Sequence, residues 1–241
     1  MALVGMPACC RGRCIVGACW FLMCAASAAV TPLRHNYYAL RHGQSLANVE
    51  GVISSDPAVA CNHHGLSETG LQQARRAAEA VCAEALSTGV DGVAIVSSDF
   101  KRAWQTAQAV HTAVIARGLS CVPASAVCAE TLLRERSFGT LSGGPDSRYA
   151  DVWVHDAVSA THTEFGSEPV TSVRERAWGV VERLEAELPG RCMVVLVAHG
   201  DVLQILQTRF ACVDPRTHRS LPHLETATLR RLSLPLAAGA G

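Results

Sequence analysis

Tyr37-Tyr38-Ala39-Leu40-Arg41-His42-Gly43 combines a short apolar run with a histidine and a glycine at its end. A second apolar run, Met193 to Ala198, also ends in a histidine and a glycine, His199-Gly200. Runs of this kind are typical of parallel strands that are covered on both faces. We therefore predict that both histidines lie at the carboxyl edge of one sheet, where open α/β sheets bind their ligands.

Further apolar runs alternate with segments of helical periodicity. Gly92 to Val96 predicts a second strand, and Thr226 to Leu232 predicts a last strand at the sheet edge. Helices are predicted from about Ser67, from about Lys101 to Arg117, and from Ser172, where Ser-x-x-Glu fits a capping box. This alternation predicts an α/β fold, a three-layer α/β/α sandwich with a mostly parallel central sheet.

Composition bounds the partners of the chain. Of its 241 residues, 49% are hydrophobic and 17% are charged, and the net charge is zero. A balanced charge argues against a nucleic-acid partner, because such proteins present a basic face. Lys101 is the only lysine among 21 basic residues, so the chain is biased towards arginine and a single arginine is weak evidence of a site.

The N-terminal segment differs from the rest of the chain. No acidic residue precedes Glu50, and Arg11 and Arg13 come before an uncharged run from Cys14 to Val30. Ala26-Ser27-Ala28 provides a small-x-small cleavage pattern. This layout is typical of a secretory signal peptide. An organelle transit peptide or an uncleaved anchor remains open, although the run is short for a membrane span of about 20 residues.

We therefore divide the chain into an N-terminal targeting segment, residues 1–31, and a single α/β domain, residues 32–241. The expected location is the secretory pathway or the extracellular space, with a plastid or mitochondrion as the alternative, and no stable membrane span is expected once the leader is removed. Export would permit disulfides among the six cysteines of the domain. The apolar patterns around Cys82 and Cys192 favour buried thiols instead.

The residues around the two histidines suit phosphoryl transfer. A phosphate ester needs a nucleophile, cationic donors for its oxygens and an acid for the leaving alcohol. His42 can act as the nucleophile, and Arg41 beside it can bind phosphate through its planar fork. Asn48 follows six residues after His42, and Arg102 falls near a helix N-terminus, which favours anions.

A candidate acid lies in Leu133 to Gly139. Glu135 stands between Arg134 and Arg136. The arginines would lower the pKa of Glu135 if they pointed inward, or they could face the solvent, and a surface cluster of charges remains an alternative to a catalytic role.

Two other groups of side chains resemble metal ligands only superficially. They are the pair His63 and His64, and the set His155, His162 and Glu164. Their spacing fits no metal site on one helix face. We therefore expect no metal.

Four blocks follow one another along the chain: Arg41 to Asn48, Ser97 to Ala107, Leu133 to Gly139 and Ala198 to Asp201. In this order they resemble the histidine phosphatase superfamily, specifically its phosphoglycerate mutase-like branch, over nearly all of residues 35–232. The resemblance implies a phosphatase that needs no metal or organic cofactor and acts on a small phosphorylated substrate. It implies that His42 becomes phosphohistidine and that Glu135 is the proton donor. The other implied site residues are Arg41, Arg102 and His199 in the phosphate pocket, Asn48 and the Gly200 backbone in support, and Gln44 and Ser45 in the substrate loop.

Departures from that family pattern favour hydrolysis over mutation. Phe138 replaces a tyrosine and Asp146 replaces a lysine of the cofactor-dependent mutases, and Arg148 is the only basic residue between Arg136 and Arg174. The site would therefore bind a second phosphate group of a substrate poorly. A phosphomonoester hydrolase is the first hypothesis, a sugar bisphosphatase or mutase is the alternative, and a catalytically silent phospho-ligand-binding module remains open. Ser45 and Asn48 could also serve only to hold their loop.

Overall fold

The computed structural model describes residues 32–123 and 127–235, and the strands in these residues form one sheet. They are β1 (Asn36–Arg41), β2 (Gly92–Ser97), β3 (Cys128–Ala129), β4 (Cys192–Ala198) and β5 (Leu229–Leu232). The spatial order is β3-β2-β4-β1-β5, with β5 alone antiparallel to its neighbour. The predicted mostly parallel sheet with a last strand at its edge is confirmed; the antiparallel direction of β5 and the short strand β3 were not predicted.

Helices connect the strands. They are α1 (Leu46–Glu50), α2 (Pro57–Ala60), α3 (Glu68–Thr88), α4 (Lys101–Ala116), α5 (Tyr149–Asp156), α6 (Val170–Glu187) and α7 (Gly200–Phe210). Short 3-10 turns lie at Thr131–Leu133, Gly139–Leu141, Asp146–Arg148, Glu164–Gly166 and Pro215–Ser220. The long stretch between β3 and α6 thus consists mostly of turns around α5, and it is this stretch that carries Glu135.

The three-layer arrangement follows from the alternation of side chains along β1. Tyr37 and Ala39 pack on one face of the sheet, in the core that α6 and α7 cover. Tyr38 and Leu40 pack on the opposite face, in the core that α3 and α4 cover. Every residue of β4 is buried, as expected of a central strand with helices on both sides. The predicted α/β/α sandwich is confirmed.

The first residues of α3 and α6 test the helix caps that the sequence predicted. Ser67 caps α3 as predicted, since its hydroxyl accepts a hydrogen bond from the Gly70 N–H at 3.0 Å. The predicted capping box at Ser172 is wrong, because α6 already begins at Val170, directly after Pro169. The fixed φ of proline suits the start of a helix, so the chain enters α6 before it reaches Ser172.

The remaining expectations about the chain concern its leader and its cysteines. The predicted targeting segment, residues 1–31, lies outside the described residues. The six cysteines of the domain are free thiols, of which Cys82, Cys121 and Cys192 are buried. In the part of the chain that the structure describes, every helix is too short or too polar to span a bilayer.

A contact between two glycines holds the loop after β1 against α3. A Cβ atom on Gly70 would lie 2.0 Å from the carbonyl oxygen of Gln44, and one on Gly43 would lie 2.5 Å from the carbonyl oxygen of Gly70. Neither position accepts a side chain without a shift of backbone. The place of His42 therefore depends on this approach of loop and helix.

Gly70→Ala is expected to lower the free energy of unfolding by about 1–3 kcal/mol, because overpacking must displace the backbone of Gln44. Gly179→Ala is the matched control, since a Cβ atom there meets nothing within 4 Å and the residue lies inside α6. The control should be stabilised by up to about 1 kcal/mol. Urea unfolding of both variants measures the difference, and two changes of the same sign would contradict the glycine contact.

Candidate active site

The pairing of β1 with β4 brings the two predicted histidines together. Arg41 is in register with Ala198, and the His42 N–H donates to the Ala198 carbonyl at 3.1 Å. The imidazole centroids of His42 and His199 are 5.1 Å apart, with the rings edge to face. Both histidines thus lie at the carboxyl edge of the sheet, side by side.

His42 is held in one tautomer. Its Nδ1–H donates to the Gly43 carbonyl at 2.7 Å, and its Nε2 accepts a hydrogen bond from Arg102 Nε at 3.1 Å. Burial, followed by the charges of Arg102 and Arg41, holds the pKa of His42 well below its usual 6.5. The imidazole is therefore neutral at neutral pH, with its Nε2 lone pair on the side of the arginine.

His199 is fully buried behind His42. Its Nε2 is 2.9 Å from the Ser98 hydroxyl, and its ring packs edge to face on Phe100, with 5.2 Å between centroids. Burial, followed by the charges of Arg102 and His42, lowers the pKa of His199 well below 6.5. Its Nδ1 has no hydrogen-bond partner among the described residues. His199 supports His42 rather than lining the open part of the site.

Arg102 and Arg41 place two guanidinium groups around His42. Arg102 lies in the first turn of α4, and its Nη2 donates to the Ser54 carbonyl at 3.0 Å. Arg41 extends from the end of β1, and its Nη1 donates to the Leu224 carbonyl at 3.0 Å and to His223 Nε2 at 2.9 Å. Both side chains line one cavity with His42. The neutral histidine thus faces a positively charged wall.

The N-terminus of α7 adds backbone donors to this wall. Gly200 is the first helical residue, and its N-cap, His199, forms no side-chain cap to the helix. The Arg41 guanidinium group lies against this helix start, since a Cβ atom on Gly200 would be in van der Waals contact with it at 3.5 Å. An uncapped helix N-terminus beside a guanidinium group is a suitable place for an anion.

Glu135 also lines the cavity, and its two arginine neighbours point elsewhere. Arg134 binds Asp99, with 2.6 Å between Nη2 and Oδ2, and Arg136 binds Asp156 through two hydrogen bonds of 2.7 and 2.8 Å. Neither guanidinium group is therefore available to the Glu135 carboxylate. The geometry settles which way the arginines of this motif point, a question that the sequence left open.

The Glu135 carboxyl group has an elevated pKa. The side chain is half-buried, because protein surrounds it except where it opens onto the cavity. This burial, followed by the negative charge of Asp201, raises the pKa of Glu135 from 4.5 to about 7, against the smaller opposing effects of Arg102 and Arg41. Near neutral pH the group can therefore hold a proton or release it, as an acid-base catalyst must.

Of the predicted residues in the loop after His42, two line the cavity and one does not. Ser45 caps α1, and Asn48 Oδ1 accepts hydrogen bonds from the Ser45 N–H at 3.0 Å and from the Ser45 hydroxyl at 2.9 Å. Both residues line the cavity. Gln44, predicted for the substrate loop, is placed elsewhere: its Oε1 accepts from Ser67 at 2.8 Å, and its N–H donates to Gln73 at 2.7 Å. Gln44 thus ties the loop to α3.

Sequence reasoning did not single out several residues of the cavity as site residues. The cavity has a volume of about 290 Å³, and the unpredicted residues in its lining include Ser54, Tyr149, Trp153, Asp201, Arg219 and His223. Tyr149 and Trp153 are four residues apart in α5, a spacing that could have indicated a shared face. Arg219 and His223 gave no signal, because the chain is rich in arginine and their segment has no regular pattern.

The histidines that resembled metal ligands have other roles. His64 Nδ1 lies 2.9 Å from the Ser54 hydroxyl, and His162 Nε2 lies 2.6 Å from Asp156. His155 packs beside His162, with 5.5 Å between ring centroids. Within residues 32–123 and 127–235, no three His, Cys, Asp or Glu side chains are arranged to hold a metal ion.

Comparisons with known proteins agree with this geometry. The family model described as histidine phosphatase superfamily (branch 1) matches residues 37–235. The chain is similar to mycobacterial hydrolase 1, with 27% identity, a TM-score of 0.66 and coverage of 86% of this chain and 92% of that chain. It is also similar to a mycobacterial glucosyl-3-phosphoglycerate phosphatase solved with VO3, with 28% identity, a TM-score of 0.65 and coverage of 83% and 92%.

A third solved structure, YhfR from Bacillus stearothermophilus, shares the fold at 22% identity, with a TM-score of 0.61 and coverage of 81% of this chain and 89% of that chain. The comparison with curated proteins gave no match. The family model nevertheless spans the whole sheet and both histidine blocks. The resemblance in the sequence is thereby confirmed: the chain belongs to the histidine phosphatase superfamily (branch 1), and it is a phosphatase.

Proposed function

We propose that this phosphatase hydrolyses a small phosphate monoester in two steps through a phosphohistidine on His42. One observation carries the proposal: neutral His42 and Glu135, whose pKa is about 7, line the same cavity. A nucleophile and an acid in one cavity are the two groups that phosphoryl transfer to and from an enzyme requires.

In the first step, Nε2 of His42 attacks the phosphorus atom, and the bond from phosphorus to the ester oxygen breaks. Glu135 gives its proton to that oxygen, so the alcohol leaves uncharged. In the second step, a water molecule attacks the phosphohistidine and Glu135 takes a proton from the water. The phosphorus–nitrogen bond breaks, inorganic phosphate leaves, and His42 and protonated Glu135 are restored.

The positive wall supplies charge stabilisation in both steps. Arg41, Arg102 and the N-terminus of α7 surround the place beside His42 Nε2 where the three phosphoryl oxygens would lie. Donors fixed in this way each stabilise the transition state by about 3 kcal/mol in a site that excludes water. Arg102 contacts the nucleophile itself, so it can hold the phosphoryl group in line with Nε2.

The rest of the cavity favours a monophosphate over a bisphosphate. Arg219 lines the cavity outside the phosphate pocket, but its guanidinium carbon lies 3.7 Å from the centre of the Trp153 ring, and its Nη1 lies 3.6 Å from Asp201. Asp146 adds a negative charge to the same wall. A second phosphate would meet one cation that is already paired and two carboxylates, which supports hydrolysis rather than mutase chemistry.

Replacing the nucleophile tests the covalent step. His42→Ala is expected to lower kcat on any phosphate ester by about 10⁴-fold or more, because no other group can take the phosphoryl. Incubation with ³²P-labelled ester, followed by alkaline quenching, should leave acid-labile label on the wild type and none on the variant. His63→Ala, a change at an exposed histidine, is the control and should label normally. An active wild type without label would favour a different mechanism, and an inactive one would favour the silent binding module.

The leaving group tests the role of Glu135. Glu135→Gln is expected to slow hydrolysis of an alkyl phosphate by about 10²–10⁴-fold, because the poor leaving group needs a proton. Phosphorylation of His42 by an aryl phosphate needs little assistance and should persist. In the wild type, kcat/KM for the alkyl ester should fall as the pH rises through about 7, where Glu135 loses its proton. Equal rate losses on both esters in the variant would contradict this role.

The elevated pKa of Glu135 also has a consequence for stability. Between pH 4.5 and about 7 the folded state binds a proton that the unfolded state has released, so the wild type should lose stability as the pH rises across this window. The loss is at most ~3 kcal/mol, since each pKa unit corresponds to ~1.4 kcal/mol and cavity water screens part of the effect. Glu135→Gln should abolish this pH dependence. Urea unfolding of the wild type and the variant at pH 5 and pH 8 measures this dependence. The same change in unfolding free energy with pH in both proteins would contradict the assigned pKa.

A further inference from the structure

Tyr149 is the one of the chain's three tyrosines that lines the cavity. It is the first residue of α5, and its ring is fixed from two sides. The Phe138 ring meets it nearly edge to face, with 4.7 Å between centroids, and the Trp153 ring stacks on it at 5.5 Å and 9°. The phenol is therefore held in one orientation by packing, as a recognition group should be.

The hydroxyl of Tyr149 is open to the cavity. The other two tyrosines bond their hydroxyls, Tyr37 to the Val181 carbonyl at 3.1 Å and Tyr38 to Glu84 at 2.6 Å. The Tyr149 hydroxyl has no hydrogen-bond partner among the described residues. It is also not one of the fully buried polar atoms that lack a partner, so it is accessible from the cavity. It can therefore donate to a molecule in the cavity.

Tyr149 and Glu135 line the same cavity, and Phe138, three residues after Glu135, packs against the Tyr149 ring. Burial, followed by the negative charge of Glu135, raises the pKa of Tyr149 above its usual 10, against the opposing charge of Arg102. The phenol thus stays protonated in the working pH range and acts as a neutral donor. The neighbouring Trp153 Nε1–H is already bonded to Asp201 at 3.1 Å, so it does not compete for a ligand.

We propose that Tyr149 is a specificity-determining residue whose hydroxyl donates a hydrogen bond to an oxygen on the carbon next to the ester carbon of the substrate. The inference rests on the proposed function, in which Glu135 contacts the ester oxygen. A donor beside Glu135 meets the nearest further oxygen of the leaving alcohol. The substrate class is accordingly an alcohol phosphate with a vicinal hydroxyl or carboxylate, as in phosphorylated sugars, polyols and hydroxy acids.

Two esters that differ only in their hydroxyl groups test the assignment. Glycerol 1-phosphate carries a vicinal hydroxyl, and n-propyl phosphate has the same carbon chain without one. Tyr149→Phe is expected to lower kcat/KM for glycerol 1-phosphate by about five- to tenfold, the usual range for one neutral hydrogen bond, and to leave n-propyl phosphate unchanged. Tyr38→Phe, which removes a hydroxyl bonded to Glu84, is the control and should keep the wild-type ratio of the two substrates.

Equal losses on both esters, or no loss on either, would overturn the assignment of the hydroxyl to the leaving alcohol. Thermal unfolding of Tyr149→Phe distinguishes a packing defect, which would lower the rates on both esters, from the loss of one contact. Failure of the proposed function has a different signature. It would remove the label from wild-type His42, whereas failure of this inference leaves the label intact and changes only the substrate ratio.

Discussion

The parallel pairing of β1 with β4 is the constraint on which the site depends. It sets Arg41 against Ala198 in register, and the hydrogen bond from the His42 N–H to the Ala198 carbonyl continues that ladder for one more step. The segments after β1 and β4 then leave the sheet at the same level, so the two imidazoles are neighbours. A slip of one residue would turn His42 to the opposite face of the sheet. The catalytic geometry is therefore a property of strand register before it is a property of any loop.

The second feature on which the site depends is that the two arginines beside Glu135 in the sequence pair with aspartates and not with Glu135. A carboxylate between two arginines would ordinarily be held ionised, with a low pKa. Here Arg136 is fully buried against Asp156 and contacts Asp201 at 3.4 Å, while Arg134 pairs with Asp99. The Arg136 pairing does more than remove a positive charge from Glu135. It helps to fix the Asp201 carboxylate nearby, and that negative charge contributes to the elevated pKa.

The parts of the molecule that the sequence predicted are those with local signals. Periodicity identified β1 and β4, and the histidines at their ends followed from the parallel topology. The position of Arg102 followed from the start of α4. Arg219 and His223 come from a segment without a regular pattern, and they reach the cavity only through long-range packing. Gln44, which we predicted in the substrate loop, does not line the cavity; its bond to Ser67 depends on how α3 meets the loop, which no local signal shows.

In the described part of the chain, one of two unpaired buried polar atoms near His42, the Arg41 Nε–H, is a donor that suits an anion. Arg41 Nε and His199 Nδ1 have no hydrogen-bond partner among the described residues, although buried polar atoms usually have one. Buried polar groups without partners lower the stability of the folded state, so stability alone does not explain why these two are unpaired. The two histidines keep low pKa values at the same place, which leaves the arginines as the charged groups of the wall. In the proposed function, this positive charge is directed at a bound phosphoryl group, while the proposed nucleophile, His42, stays neutral beside it.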